Sequence, residues 1–118
     1  MKLVAAAVQM TSTADVEGNL AGAERLVSRA AERGKTLRLA SKSIRCVAVL
    51  RHVLGRGGAA VRGLMTYSAA ETAFLAAEGF DDLLLAYPTL RRRDLEVLAR
   101  LAAAFDVKPE HFREYRIR

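Results

Sequence analysis

In the stretch LRLASKSIRC, residues 37–46, Lys42 stands between two serines at the end of a short apolar run and just before a helical pattern. An amine there becomes a nucleophile once its charged form is disfavoured, which apolar walls and neighbouring helix N-termini both do. That is the chemistry of a Schiff-base lysine. Thr13, Ser43, Ser68 and Thr89 each stand at the start of a helical pattern, and Tyr67 closes an apolar run. Hydroxyl side chains at helix starts accept hydrogen bonds from free amides, and those amides, with the helix dipole, attract anions. Lys42, Ser43, Tyr67 and Ser68 are therefore the candidate cofactor-binding set, with Lys42 the candidate catalytic amine. The same lysine can also run along a strand rim and carry its ammonium into water.

The other reactive residues do not converge. His52 falls in mid-helix and His111 in the tail, so no nucleophile, histidine and carboxylate come together as a triad. Cys46 is the only cysteine, which excludes an internal disulfide, and without a paired Cys or His spacing it is not part of a zinc site. It reads as a core residue of the second helix. The run GRGG at 55–58 follows a helix and precedes a strand, the reverse of the order a phosphate-cradling loop needs, and reads as a helix stop. Asp81 and Asp82 open a strand at the end away from Lys42 and read as turn residues.

Four apolar runs have to position these groups: KLVAAAVQM at 2–10, LRLAS at 37–41, VRGLMTY at 61–67 and DLLLAYP at 82–88. Each leads into a helical pattern. The first spans 15–33 with Leu20, Ala23, Val27 and Ala30 on one side, and the second spans 43–54 with Ile44, Val47, Leu50 and Leu54 turned inward. The third opens on SAAE, a capping box in which Ser68 and Glu71 each satisfy a free amide, and stops at Gly79. The fourth starts at Thr89, carries Leu95, Leu98, Leu101 and Ala102 along one side, and runs to about Phe105. Residues 105–118 read as a tail with a short helix opened by Pro109.

Strands separated by helices need crossovers, so the expected fold is α/β with a parallel four-stranded sheet and right-handed connections. Two arrangements satisfy this. One is four consecutive βα units, half of a (βα)8 barrel, with strand order 1-2-3-4. The other is an open sheet of the flavodoxin or Rossmann kind, with the first strand inserted between the second and third. Simple alternation puts Leu37, Leu39 and Ser41 opposite Arg38, Ala40 and Lys42, and puts Arg62, Leu64 and Thr66 opposite Val61, Gly63, Met65 and Tyr67. A sheet covered on both faces reads as continuous hydrophobics, so Arg38 and Arg62 favour helices on one face and the half-barrel. An uncovered face predicts self-association, with a two-fold homodimer as the expected form.

The chain has 118 residues, enough for one domain with a core. Hydrophobic residues make up 52%, yet no stretch approaches the roughly 18 apolar residues of a membrane span and no signal-peptide pattern opens the chain, so a soluble cytoplasmic protein without membrane contact is expected. Nineteen Lys and Arg against 13 acids make a formal charge of +6, with a pI near 10.1. Such a balance suits nucleic acid. The arginines are nevertheless scattered, apart from Arg91 to Arg93 and the tail residues Arg113, Arg116 and Arg118, and no aromatic residues are interleaved with them as stacking platforms. Nucleic-acid contact is expected to be absent or nonspecific.

Residues 1–34, KLVAAAVQMTSTADVEGNLAGAERLVSRAAERG after the first Met, resemble the first strand and helix of the nitrilase, or carbon-nitrogen hydrolase, superfamily. That family implies a Glu-Lys-Cys triad whose glutamate would end the next strand. Here KTLRLASKS follows instead, and no later segment supplies the matching lysine or cysteine. Residues 35–104, through KTLRLASKSIRCVAVLRHVL and RGLMTYSAAETAFLAAEGFDDLLLAYPT, resemble the pyridoxal-phosphate barrel of the D-threonine aldolase and D-serine deaminase enzymes. In that resemblance Lys42 matches the cofactor lysine, whereas the later strands and the second domain that complete the family's site are missing. The tail PEHFREYRIR resembles segments that follow helix-turn-helix domains in bacterial regulators. Three mismatched ancestries, the first two joined in register at Gly34 and Lys35, imply an artificial or recombined chimera, a scaffold with no evolved catalytic function and no cofactor. The alternatives are a vestigial pyridoxal-phosphate-binding protein or weak lyase or deaminase using Lys42, and a nucleic-acid or regulatory binding module using the basic tail.

Overall fold

The computed structural model describes residues 10–105. The expected strand at 2–10, apart from Met10, and the expected helix opened by Pro109 lie outside the described residues. Helix α1, Val16–Glu32, begins where the Asp15 carboxylate accepts the Gly18 N–H at 3.0 Å, and it ends at Arg33 just before Gly34 at φ 65°. Strand β1, Leu37–Ala40, passes into a 3-10 turn over Ser41–Ser43 and then helix α2, Val47–Gly57. After a second 3-10 turn, Gly58–Ala60, come β2, Val61–Thr66, and α3, Ala69–Ala77. Strand β3, Leu83–Leu85, and helix α4, Arg92–Ala104, complete the described fold.

The described sheet is parallel and three-stranded, in the order β1-β2-β3, so the fold is α/β. Because β1 and β2 are hydrogen-bonded neighbours, no strand can stand between them, and the inserted order of the flavodoxin alternative is not the order here. Leu50 of α2, Leu64 of β2, Leu75 of α3 and Phe80 form one buried cluster, which sets α2 and α3 on the same face of the sheet. Leu39, Ile44, Val47, Leu54 and Leu83 pack against it. The inward set expected for the second helix is thus in or against the core.

Three expectations need correction. First, α2 starts at Val47 and not at Ser43. The Ser41 carbonyl accepts the amides of both Ile44 (3.0 Å) and Arg45 (2.9 Å), Arg45 then takes a left-handed φ of 50°, and helical bonding resumes only from the Cys46 carbonyl to the Leu50 amide. The helix also runs on through Gly55 to Gly57 and is stopped by Gly58 at φ 51°, so only part of the GRGG run acts as the stop. Second, α4 starts at Arg92: the Thr89 hydroxyl accepts the Arg91 amide at 3.3 Å and donates to Asp94 Oδ2 at 2.8 Å, which holds residues 89–91 as a lead-in.

Third, Arg62 does not share a face with Leu64 and Thr66. Leu37 pairs with Val61 but Leu39 pairs with Leu64, so β2 carries an extra residue at this point, with Gly63 at φ 70°. A β-bulge of this kind redirects the side chain beside it. Arg62 is accordingly exposed and lies 3.7 Å from Asp82, which also pairs with Arg38 at 2.6 Å. Leu64 and Thr66 remain buried.

Helices α1 and α4 contain no buried residue. On α1, Val16 and Leu20 are 67% and 66% exposed, although Ala23, Val27 and Ala30 of the same expected stripe are half-buried. Helix α4 packs on α3. Among the described residues no helix is long and apolar enough to cross a membrane.

Candidate functional site: the C-terminal rim of the sheet

The ends of the three strands bring together Lys42, Tyr67 and Tyr87, the first and last two residues past their strands and Tyr67 directly after its own. Ser41, at the foot of this rim, is 1% exposed. Its hydroxyl lies 2.9 Å from Glu71 Oε1 and 3.1 Å from the Met65 carbonyl, and its single proton serves one of these acceptors at a time. The other Glu71 oxygen accepts the Tyr67 amide at 2.8 Å, and the Ser68 hydroxyl accepts the Glu71 amide at 3.2 Å. Ser68 therefore caps α3 as expected. The reciprocal bond from Glu71 goes to Tyr67 and not to Ser68, because the carboxylate is also drawn toward Ser41 on β1's side of the sheet.

Below this layer Thr66 and Thr72 are buried and share a hydrogen bond of 2.6 Å. The Thr72 hydroxyl donates to the Ser68 carbonyl at 2.8 Å, so the proton between the two threonines comes from Thr66. Every buried side-chain nitrogen and oxygen among the described residues has a partner.

Lys42 is exposed and its Nζ donates to the Tyr87 hydroxyl at 3.0 Å. The ammonium is 5.4 Å from the ring centre, which puts the phenolic oxygen between it and the ring. The contact is a hydrogen bond at the hydroxyl end, with no cation over the ring face. The apolar walls expected around Lys42 are not there, and its environment is the water-facing rim. Arg45 lies with its guanidinium carbon 5.6 Å from the Tyr67 ring centre, and its Nε donates to the Lys42 carbonyl at 3.2 Å.

Of the candidate set, Lys42, Tyr67 and Ser68 share the rim. Ser43 does not cap a helix: it is exposed in the 3-10 turn, four residues ahead of α2, whose N-cap is Cys46 without a side-chain cap bond. Thr13 likewise yields the cap of α1 to Asp15 and accepts the Asp15 amide at 3.2 Å. Cys46 is exposed and is not the core residue its position suggested. Asp82, read as a turn residue, joins Arg38 and Arg62 at the opposite end of the sheet. Glu71 is the residue that sequence reasoning placed only as a cap partner. Its capping-box spacing was visible, but its bond to Ser41, 30 positions away, was not.

A cleft of about 140 Å³ opens between α2 and α3, lined by Ser41, Arg45, Cys46, Glu71 and Phe74 among others. A second groove, of about 320 Å³, runs along α1 beside Met10, Arg25 and Arg29. Neither has Lys42, Ser43, Tyr67 or Ser68 in its wall. Just ahead of α3 the Glu71 carboxylate accepts the Tyr67 amide, so that amide is not free for another anion. Among the described residues no group of three or more His, Cys, Asp or Glu is placed to hold a metal ion.

Comparisons with protein families, curated proteins and solved structures return no match to this chain.

Proposed function

We propose that this chain is an artificial or recombined α/β scaffold with no evolved catalytic function and no bound cofactor. The observation that carries the reading is the Glu71 carboxylate: it takes the Tyr67 amide and faces the Ser41 hydroxyl, so these polar groups at the foot of the rim are engaged with one another. The proposed join of a nitrilase-like segment to a pyridoxal-phosphate-barrel-like segment, at Gly34 and Lys35, falls in the link between α1 and β1. A join there interrupts neither α1 nor β1. In the proposed architecture the run at 2–10 adds a fourth strand beside β1, making four βα units of half a barrel, and the sheet face away from α2 and α3 buries itself against a second copy.

The test is borohydride trapping with pyridoxal phosphate, followed by peptide mapping and by turnover assays on D-threonine and D-serine. The chain has four lysines, Lys2, Lys35, Lys42 and Lys108, so labelling can be compared site by site. Equal, weak labelling at all four without turnover is expected. Preferential labelling of Lys42 that disappears in Lys42→Ala, together with turnover, would replace this reading with that of a vestigial lyase.

A further inference from the structure

The rim unites aromatic rings and cations that the sequence keeps apart. Tyr67 and Tyr87 end neighbouring strands and are 41% and 53% exposed, so both offer ring surface to solvent. The Arg45 guanidinium carbon lies 5.6 Å from the Tyr67 ring centre, and Lys42 donates to the Tyr87 hydroxyl at 3.0 Å. Both cations are exposed, and neither forms an ion pair with a carboxylate among the described residues. The nearby acid, Glu71, turns its oxygens to Ser41 and to the Tyr67 amide. The patch is therefore positive and aromatic, on a chain whose formal charge is already +6.

We propose that this rim is a sequence-blind binding surface for single-stranded nucleic acid, with Tyr67 and Tyr87 stacking on bases and Lys42 and Arg45 meeting the phosphates that flank them. Every base has a π-face, so stacking on aromatic side chains tolerates any sequence, while the adjoining cations track the backbone. A duplex keeps its bases stacked on one another and cannot offer them to the tyrosines, which makes the surface selective for single strands. An acidic peptide would use the cations alone. The surface is independent of the basic tail and needs no recognition helix.

The experiment is fluorescence anisotropy of a labelled oligothymidylate and of a duplex across a salt series, with the full chain. The oligothymidylate is expected to bind more tightly than the duplex at each salt concentration. Tyr67→Ala and Tyr87→Ala should each weaken it about tenfold, since loss of one base stack is of that order. Tyr87→Phe keeps the ring and loses the bond to Lys42, and should retain the affinity. Lys42→Ala should lower the slope of log affinity against log salt by about 0.7, the value for one phosphate contact on a single strand. Arg25→Ala with Arg29→Ala, two arginines on α1 away from the rim, serves as the control for net charge and should leave the preference for single strands unchanged. Circular dichroism confirms that each variant is folded, and the phenylalanine and lysine variants decide the matter should an alanine variant unfold. Equal binding of single strand and duplex, competition by polyglutamate as effective as by oligothymidylate, or no effect of the rim substitutions beyond that of the α1 control would each overturn the proposal.

Discussion

Replacing Gly63 with alanine tests how the bulge of β2 is built. The residue sits at φ 70° in the bulge of β2, and a Cβ there would meet the Arg38 guanidinium and come within 2.5 Å of both the Asp82 carbonyl oxygen and its Cγ. Two costs follow. Holding alanine in the left-handed region costs about 1–2 kcal/mol, and forcing a methyl into an occupied space costs about 1–3 kcal/mol more. The backbone oxygen cannot swing away as a side chain end can, because it also accepts the Leu64 amide at 2.8 Å in the pairing of β2 with β3. The half-exposed Arg38–Asp82 ion pair adds less than about 1 kcal/mol to the loss. Gly34 is the internal control: its φ is 65°, yet a Cβ there meets nothing within 4 Å, so Gly34→Ala carries only the conformational cost. Urea unfolding followed by far-ultraviolet circular dichroism suits a chain without tryptophan. Gly63→Ala should lose about 2–5 kcal/mol and Gly34→Ala about 1–2 kcal/mol. Equal losses at the two glycines would show that Asp82 and Arg38 do not press on Gly63, and the account of the bulge would fail.

The buried threonines give a second test: Thr72→Val strands the Thr66 hydroxyl, whose remaining acceptor is the Leu84 carbonyl at 3.4 Å, and should cost about 1–3 kcal/mol, more than Thr66→Val. The double variant should cost less than the sum of the two, since neither hydroxyl is then left behind, and strict additivity in a double-mutant cycle would contradict the shared bond. Light scattering at several concentrations addresses the proposed second copy. A mass that rises toward twice the 12.9 kDa of one chain is expected, and a constant single-chain mass would remove self-association from the proposed function.

Much of the secondary structure was legible because helix and strand periods are local properties of the chain. Val47, Leu50 and Leu54 announced the inner face of α2 by spacing alone, and all three are in or against the core, as is Ile44 in the turn ahead of the helix. The start of that helix was not legible. Ser43 reads as a cap, yet the Ser41 carbonyl draws the next amides into a tight turn, and the left-handed Arg45 beside Tyr67 delays α2 until Val47.

The sequence by itself determined the alternation of helices and apolar strands and the parallel sense of the sheet that such crossovers impose. The tertiary structure alone decided which way Arg38 and Arg62 point and what the rim contains. Arg62 turns to the face of Arg38 because a bulge forms at Gly63, and the bulge is packed against Asp82, just ahead of β3. Lys42 meets Tyr87 across 45 residues, and Ser41 meets Glu71 across 30. Side-chain period is written in neighbouring residues, whereas partners of this kind are chosen by strand register, which is set only when the strands pair.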